Sequence, residues 1–266
     1  MNVHDFNFKK KFGQNFLVDK NIVNKIINSV EDDSKSLVIE IGCGDGRLTR
    51  ELCKKFSFVL GYEIDLDVKD HLLENLNVFD NYKIIFEDFM SRDVDFDIKD
   101  VMYDKLFVIA NLPYYITTPI IEKIINSNLD VDKLCIMVQK EVADRFAAKP
   151  GSKLYSSLSV YLNYYFDIKK LFDVNRNSFF PKPNVDSSVV LFTKKNEKLN
   201  VINRDLFFKL IRDSFQFKRK TLRNNLKGYD LDKIEKVLFK YGYDLSVRAE
   251  NLSLEVFCDI ENELSI

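Results

Sequence analysis

Leu37-Val38-Ile39-Glu40-Ile41-Gly42-Cys43-Gly44-Asp45-Gly46 decides the fold. Its first five residues are apolar except for Glu40 and read as a strand buried on both faces. The alternate glycines that follow read as a tight turn into a helix over Arg47 to Phe56. Glycine lets backbone approach a ligand closely, and a helix N-terminus attracts electronegative groups. A strand, glycine-rich turn and helix in this order open the nucleotide-binding half of many α/β sheets. Taken alone, such a turn is as often merely tight as it is ligand-binding.

The same alternation continues downstream. Strands are predicted over Phe58 to Ile64, Lys83 to Glu87, Leu106 to Ala110, Leu134 to Val138, Phe166 to Val174 and Val185 to Thr193. Helical spacing fills Asp65 to Leu76, Thr117 to Asn126 and Lys140 to Ala147, and Asp19 is the expected N-cap of an early helix carrying Ile22, Val23, Ile26 and Ile27. This predicts an α/β domain built on a parallel sheet wrapped by helices. After Lys195 strand signals stop, and Arg204 to Phe215, Thr221 to Leu226, Leu231 to Tyr241 and Ser253 to Glu263 read as helices. The expected division is an α/β domain over residues 1–195 and a small all-α domain over 196–266.

Composition narrows the function. The 266 residues carry 40 Lys and Arg against 41 Asp and Glu, and 46% are hydrophobic, enough for burial to offset chain entropy. No apolar run approaches the roughly 20 residues that cross a bilayer. Met1 to Lys11 is polar and lacks the core of a secretory signal, so a cytoplasmic protein without membrane contact is expected. Cys43, Cys53, Cys135 and Cys258 are scattered and form no CxxC pair, which predicts reduced, packed thiols. Two histidines, His4 and His71, are too few and too separated for a metal site or a Ser/His triad, so no metal is expected. The near-neutral total hides a polarised chain. Glu63 to Lys105 holds 13 acids and 5 bases, whereas Lys194 to Lys227 holds 11 bases and 3 acids.

Five further segments bear on chemistry. Glu63 ends the strand after the glycine turn, where a carboxylate can accept from ribose hydroxyls. A nicotinamide-dependent dehydrogenase shares both features, but GxGxG preceded by Glu40, in place of GxGxxG, is typical of S-adenosylmethionine enzymes. Asp88, closing the third strand, is placed to accept from an adenine amine. Asn111-Leu112-Pro113-Tyr114-Tyr115 follows the fourth strand. An exocyclic adenine amine is a poor nucleophile because its lone pair is delocalised. The Asn111 side-chain oxygen and the Leu112 carbonyl would hold its N–H groups, Pro113 would fix the loop, and Tyr114 would offer a stacking face. Singly, Glu63 and Asp88 read as solvated strand-end acids and the Asn111 segment as a turn with buried tyrosines; together they agree on one chemistry.

Ser178-Phe179-Phe180-Pro181-Lys182-Pro183 either plugs the core or supplies a second stacking wall, with Phe179 opposite Tyr114 around a flipped base. The run Phe215 to Leu226, with Lys218, Arg219, Lys220 and Arg223, reads as a solvated helix face or as a phosphate-tracking surface, extended by Lys9-Lys10-Lys11.

On these residues the sequence resembles the ribosomal RNA adenine N6-dimethyltransferases, most closely the small-subunit branch that modifies two adjacent adenines near the RNA 3′ end. The resemblance runs from Lys9 to about Leu254. Phe12-Gly13-Gln14-Asn15-Phe16-Leu17-Val18-Asp19 is similar to the family's cofactor segment and implies that Asn15 and Leu17 touch S-adenosyl-L-methionine. Gly42, Glu63, Asp88 and Asn111 fall on its other cofactor positions, Asn111 to Tyr114 on its catalytic loop and Phe179 on its second stacking aromatic. Gln139 to Ala143, Leu158 to Val160, Lys218 to Leu226 and Arg248 to Leu252 look like the small-subunit branch, not the resistance methyltransferases of large-subunit RNA. Cys43 replaces a common proline, Ser156 a usual glycine, and Lys218 an arginine that would grip phosphate bidentately. The resemblance implies a Rossmann-like class I S-adenosylmethionine-dependent methyltransferase domain followed by a small all-α domain. It further implies a cytoplasmic monomer acting on small-subunit RNA in an assembling 30S particle. Three alternatives stand beside it: an assembly factor acting mainly by occupancy, a large-subunit resistance methyltransferase, and a DNA adenine methyltransferase, which lacks the C-terminal resemblance.

Overall fold

The computed structural model describes residues 15–31, 35–196 and 199–266. Among these residues the chain forms two compact units, one running to Ala143 and including Lys169–Lys194, the other made of Asp144–Ile168 and Lys195–Ile266.

In the first unit the glycine turn sits where the sequence predicts it. Strand β2 (Ser36–Ile41) is buried at every position, as a strand covered by helices on both faces must be. It pairs in parallel with β3 (Phe58–Tyr62), setting Glu40 opposite Gly61, and on its other side with β5 (Lys105–Asn111), setting Leu37 opposite Leu106. Beyond them lie β4 (Tyr82–Ile85) and β6 (Lys133–Gln139), and β9 (Ser187–Lys194) runs antiparallel beside β6. With β7 (Phe166–Val174) the sheet order is β4-β3-β2-β5-β6-β9-β7. The chain builds outward from β2 in one direction and then, from β5, in the other. Ligands bind at such a reversal, beyond the carboxyl ends of the two strands.

Helices α1 (Lys20–Asn28) and α2 (Arg47–Lys55) press Val23, Ile26, Ile27, Leu48 and Leu52 into one apolar cluster with Val38, Phe107 and Met137 of the sheet. Asp19 caps α1 as expected, its side chain accepting from the Asn21 amide at 2.9 Å. The stretch predicted as one helix from Asp65 splits into a 3-10 turn (Leu66–Val68) and α3 (Lys69–Leu76), because Asp65 and then Val68 begin separate turns. The short helix α4 (Val94–Ile98) and the longer α5 (Thr117–Asn126) complete the crossovers. Three elements escaped the sequence reading: α4, the helix over Ser157–Tyr165, and a two-stranded ribbon in which β1 (Phe16–Leu17) pairs antiparallel with β8 (Phe179–Phe180). Both strands of the ribbon are two residues long, too short to show a period.

The chain passes through α6 (Lys140–Phe146) and α7 (Ser157–Tyr165) into the second unit, which then holds α8 (Arg204–Ser214), α9 (Leu222–Asn225), α10 (Leu231–Lys240) and α11 (Leu254–Ser265). Phe207, Leu210, Ile234, Val237, Leu238, Phe257 and Ile260 form its core, joined by Tyr155 and Val160. All four cysteines are free and buried, and burial pushes the thiols of Cys53, Cys135 and Cys258 up to about 12. No described helix is long and apolar enough to cross a membrane. No group of three or more His, Cys, Asp or Glu that could hold a metal occurs among the described residues.

Candidate functional site

A cavity opens at the reversal of strand order. Its walls include Asn15, Leu17, Gly42, Glu63 and the run Asn111-Leu112-Pro113-Tyr114, eight of the residues singled out in the sequence. The turns that leave β2 and β5 approach closely, since a Cβ placed on Gly42 would lie 3.9 Å from the Asn111 carbonyl oxygen. Gly42, Gly44 and Gly46 all have positive φ, at 80°, 56° and 80°, a region closed to most side chains.

The glycine turn has spent its amides internally. Gly42 donates to the Tyr62 carbonyl at 2.8 Å, Gly46 to the Cys43 carbonyl at 3.0 Å, and Gly44 to Glu63 Oε2 at 2.7 Å. The Arg47 amide is taken by Asp45 Oδ1 at 3.3 Å. A pyrophosphate binds such turns through free amides, and four of those at this turn, on Gly42, Gly44, Gly46 and Arg47, are already engaged. The charges agree. Among the described residues Glu40, Asp45 and Glu63 line the cavity with a single cation, Arg47, which is paired to Asp45 at 2.9 Å. With Glu40 holding its proton and Asp45 paired to Arg47, Glu63 is the acid left to face a ligand, and its carboxylate suits hydroxyl donors or positive charge better than phosphate.

Glu63 is oriented from two sides: Oε2 accepts from Gly44 and Oε1 from the Asp65 amide at 2.8 Å. Burial raises its pKa and the two amides oppose the rise. A carboxylate has about four acceptor positions, so lone pairs remain for hydroxyl groups. Glu40, read in the sequence only as part of the glycine motif, is 1% exposed, and neither of its oxygens has a hydrogen-bond partner among the described residues. Burial pushes its pKa up to about 8, against the weaker opposing influence of the Thr49 hydroxyl and the Cys43 thiol. Glu40 lines the cavity and is therefore a candidate site residue. The sequence signal for it was present, an acid inside an otherwise apolar strand.

Asn111 ends β5 and donates through Nδ2 to the Asn15 carbonyl at 3.0 Å. This bond fixes which end of the amide is which, and leaves Oδ1 as an acceptor without a donor among the described residues. The Leu112 amide is anchored on the Met137 carbonyl at 3.2 Å, and no described group donates to the Leu112 carbonyl. Two adjacent acceptors are thus held on one pinned loop. The Pro113 carbonyl is occupied by the Ile116 amide and the Thr117 hydroxyl, which closes the turn into α5. Tyr114 is held by a 2.7 Å hydrogen bond between its hydroxyl and Ser187 Oγ, and burial raises its pKa.

Two expected site residues stand outside the cavity walls. Asp88 caps the 3-10 turn Phe89–Ser91, its Oδ1 accepting from the Met90 amide at 2.9 Å. Phe179 is 3% exposed and pairs with Leu17 in the β1–β8 ribbon, its ring in the apolar cluster with Val23 and Val189. Phe16, Cys43, Arg47, Leu48, Ile64 and Tyr115 line the cavity without having been singled out as site residues. Phe16, Cys43 and Tyr115 lie inside the quoted motifs, and Leu48 and Ile64 are apolar positions with no motif of their own.

The basic run lies in the second unit. Lys218, Arg219 and Lys220 are exposed and make no ion pair among the described residues, while Arg223 reaches Glu235 at 3.5 Å. Lys9-Lys10-Lys11, Phe12-Gly13-Gln14 and His4 lie outside the described residues.

The sequence matches the family "Ribosomal RNA adenine dimethylase" over residues 5–265. It is 41% identical to the ribosomal RNA small subunit methyltransferase A of Bacillus cytotoxicus and 40% identical to that of Bacillus mycoides; each match covers 98% of this chain and 92% of the relative. Among solved structures, a dimethyladenosine transferase from Plasmodium falciparum superposes with a TM-score of 0.79 at 26% identity, covering 94% of this chain and 97% of that one. The 23S rRNA methyltransferase ErmE gives 0.78 at 23% identity, covering 95% of this chain and all of that one, a likeness of fold.

Proposed function

The chain belongs to the ribosomal RNA adenine dimethylase family, and from that premise we propose how its residues divide the work. The enzyme transfers methyl groups from S-adenosyl-L-methionine to the N6 amines of adenine in small-subunit ribosomal RNA, the two adjacent adenines near the 3′ end being the targets. Identity of 40% or more to small-subunit methyltransferases over nearly the whole chain supports this branch over a large-subunit resistance enzyme.

The observation that carries the chemistry is the pair of open acceptors, Asn111 Oδ1 and the Leu112 carbonyl, on a loop facing the acidic glycine turn. Bound S-adenosylmethionine supplies an electrophilic methyl on a cationic sulfur. Glu63 would hold the ribose hydroxyls, Gly42, Asn15 and Leu17 the amino-acid end, and Asp88 the adenine edge. The Asn111 and Leu112 acceptors would hold the target amine and favour the tetrahedral nitrogen that attacks, through placement more than through proton abstraction. No strong base is needed, because the nitrogen becomes acidic once methylated. Since two methyl groups are added, the pocket must also accept the amine with one hydrogen replaced.

Tyr114 would stack on one face of the flipped adenine, and Phe179 on the other after local displacement of the β1–β8 ribbon that now buries its ring. Lys218, Arg219, Lys220 and Arg223 would hold RNA phosphates, so that catalysis rests with residues 1–195 and RNA holding with 196–266. We place this activity in the cytoplasm, carried out by a monomer on an assembling 30S particle. The test is incubation with labelled methyl donor and unmethylated small subunits, large subunits or DNA. Label is expected in small-subunit RNA as dimethyladenine; incorporation confined to large subunits would overturn the assignment.

A further inference from the structure

Two phenylalanines, Phe215 and Phe217, flank Gln216 between α8 and α9 and have opposite fates. Phe215 packs inward against Phe257 and Tyr155, with ring centroids 6.0 Å away in each case. Phe217 is 57% exposed. One exposed apolar side chain is ordinary, so exposure alone carries nothing. The backbone beneath Phe217, however, is held. Asn225 Nδ2 donates to the Ser214 carbonyl at 2.7 Å and to the Phe217 carbonyl at 3.4 Å. The Lys220 amide closes the turn onto that same Phe217 carbonyl at 2.9 Å. On the far side of the turn, the Leu222 and Arg223 amides are tied to the Val247 and Leu245 carbonyls at 2.8 and 3.0 Å. The turn is therefore pinned at both ends, and it displays one ring followed by Lys218, Arg219 and Lys220, three cations without an ion-pair partner among the described residues.

This arrangement has a chemical complement. A single-stranded nucleic acid offers a flat π face at each base and a negative charge at each linkage, whereas a duplex hides its faces in the stack. We propose that Phe217 is a stacking platform for an unpaired base of the RNA substrate, with Lys218, Arg219 and Lys220 gripping the flanking phosphates. The proposal rests on the reading of this run as an RNA-holding surface and adds what that surface recognises: an unpaired nucleotide in a loop or bulge, separate from the adenines that are methylated. Stacking and charge are distinguishable, since loss of a phosphate contact lowers the salt dependence of binding and loss of a stacked base does not.

The chain contains no tryptophan, so Phe217→Trp installs a single indole reporter in the full-length protein. Binding to deproteinised, unmethylated small-subunit RNA and to intact unmethylated small subunits is measured across a salt series for wild type, Phe217→Trp, Phe217→Ala and the Lys218→Ala/Lys220→Ala double variant. The expected results are quenching of the indole at saturating RNA and a roughly 10-fold weaker Phe217→Ala at unchanged salt slope. The double variant should have a salt slope smaller by about 1.5. An unquenched indole together with wild-type affinity for Phe217→Ala overturns the stacking proposal, as does an effect seen with intact subunits but not with protein-free RNA, which assigns the ring to a ribosomal protein. A double variant with unchanged affinity and slope instead overturns the underlying RNA-surface reading. Unchanged thermal melting is expected for all variants, because none of the altered side chains is buried.

Discussion

Asn111 Nδ2 and the Asn15 carbonyl meet at 3.0 Å across 96 positions of sequence, and this contact orients the acceptor on which the proposed chemistry depends. An aspartate at 111 would keep an oxygen but lose the donor. Two carboxylate oxygens beside a carbonyl would repel it, so the side chain would turn away. Asn111→Asp should therefore lose methylation nearly as far as Asn111→Ala, by about 100-fold or more in single-turnover rate. Rates near wild type for the aspartate would show that Asn15 does not set the orientation.

Glu40 links the site to pH. Its folded pKa of about 8 exceeds the ordinary 4.5, so between these values the folded chain keeps a proton that the unfolded chain has released. Stability must then fall as pH rises through that window, by up to about 1.4 kcal/mol per pH unit from this group. Asp45 and Glu63 are raised in the same direction. Urea melts from pH 5 to 8 should show a shallower decline for Glu40→Gln than for wild type, and parallel declines would remove Glu40 from this account.

Gly61 sits under the glycine turn. A methyl group there would lie 2.4 Å from Cys43 Sγ and 2.5 Å from Ile84 Cδ1. Gly61→Ala should cost about 1–3 kcal/mol of stability and weaken cofactor-product binding by displacing the turn. Calorimetry should show part of that binding restored in Gly61→Ala/Cys43→Ala, where the clash with sulfur is relieved.

Phe179 must be tested with its burial in mind. Phe179→Ala would leave a cavity and cost about 3–5 kcal/mol, which confounds any activity measurement. Phe179→Leu keeps most of the volume, at a cost under about 1.5 kcal/mol, and removes the aromatic face. Methylation by the leucine variant is expected to fall at least 10-fold with cofactor-product affinity unchanged. Full activity would exclude a stacking role.

The parts of the molecule legible in sequence were those with period or punctuation. The strand before Gly42 was visible because a parallel strand covered on both faces is continuously apolar, and Asn111 because it stood at the end of another such run. What stayed hidden depended on contacts between distant positions. The β1–β8 ribbon pairs Leu17 with Phe179, and two dipeptides 162 positions apart carry no local signal of partnership. The same pairing accompanies the burial of Phe179 in the apolar cluster. The hydrogen bonds of the glycine turn were equally hidden: GxGxG announces a turn, but not that the amides of Gly42, Gly44 and Gly46 are taken by Tyr62, Glu63 and Cys43.

The four shielded thiols give the molecule an internal clock. Alkylating reagents attack thiolates, and these sulfurs are both inaccessible and protonated at neutral pH, so modification must wait for the chain to open. Cys43 and Cys135 belong to the sheet unit, as does Cys53, while Cys258 alone belongs to the helical one. The order in which the peptides acquire label would therefore time the opening of each unit separately, in the native sequence and without an engineered probe.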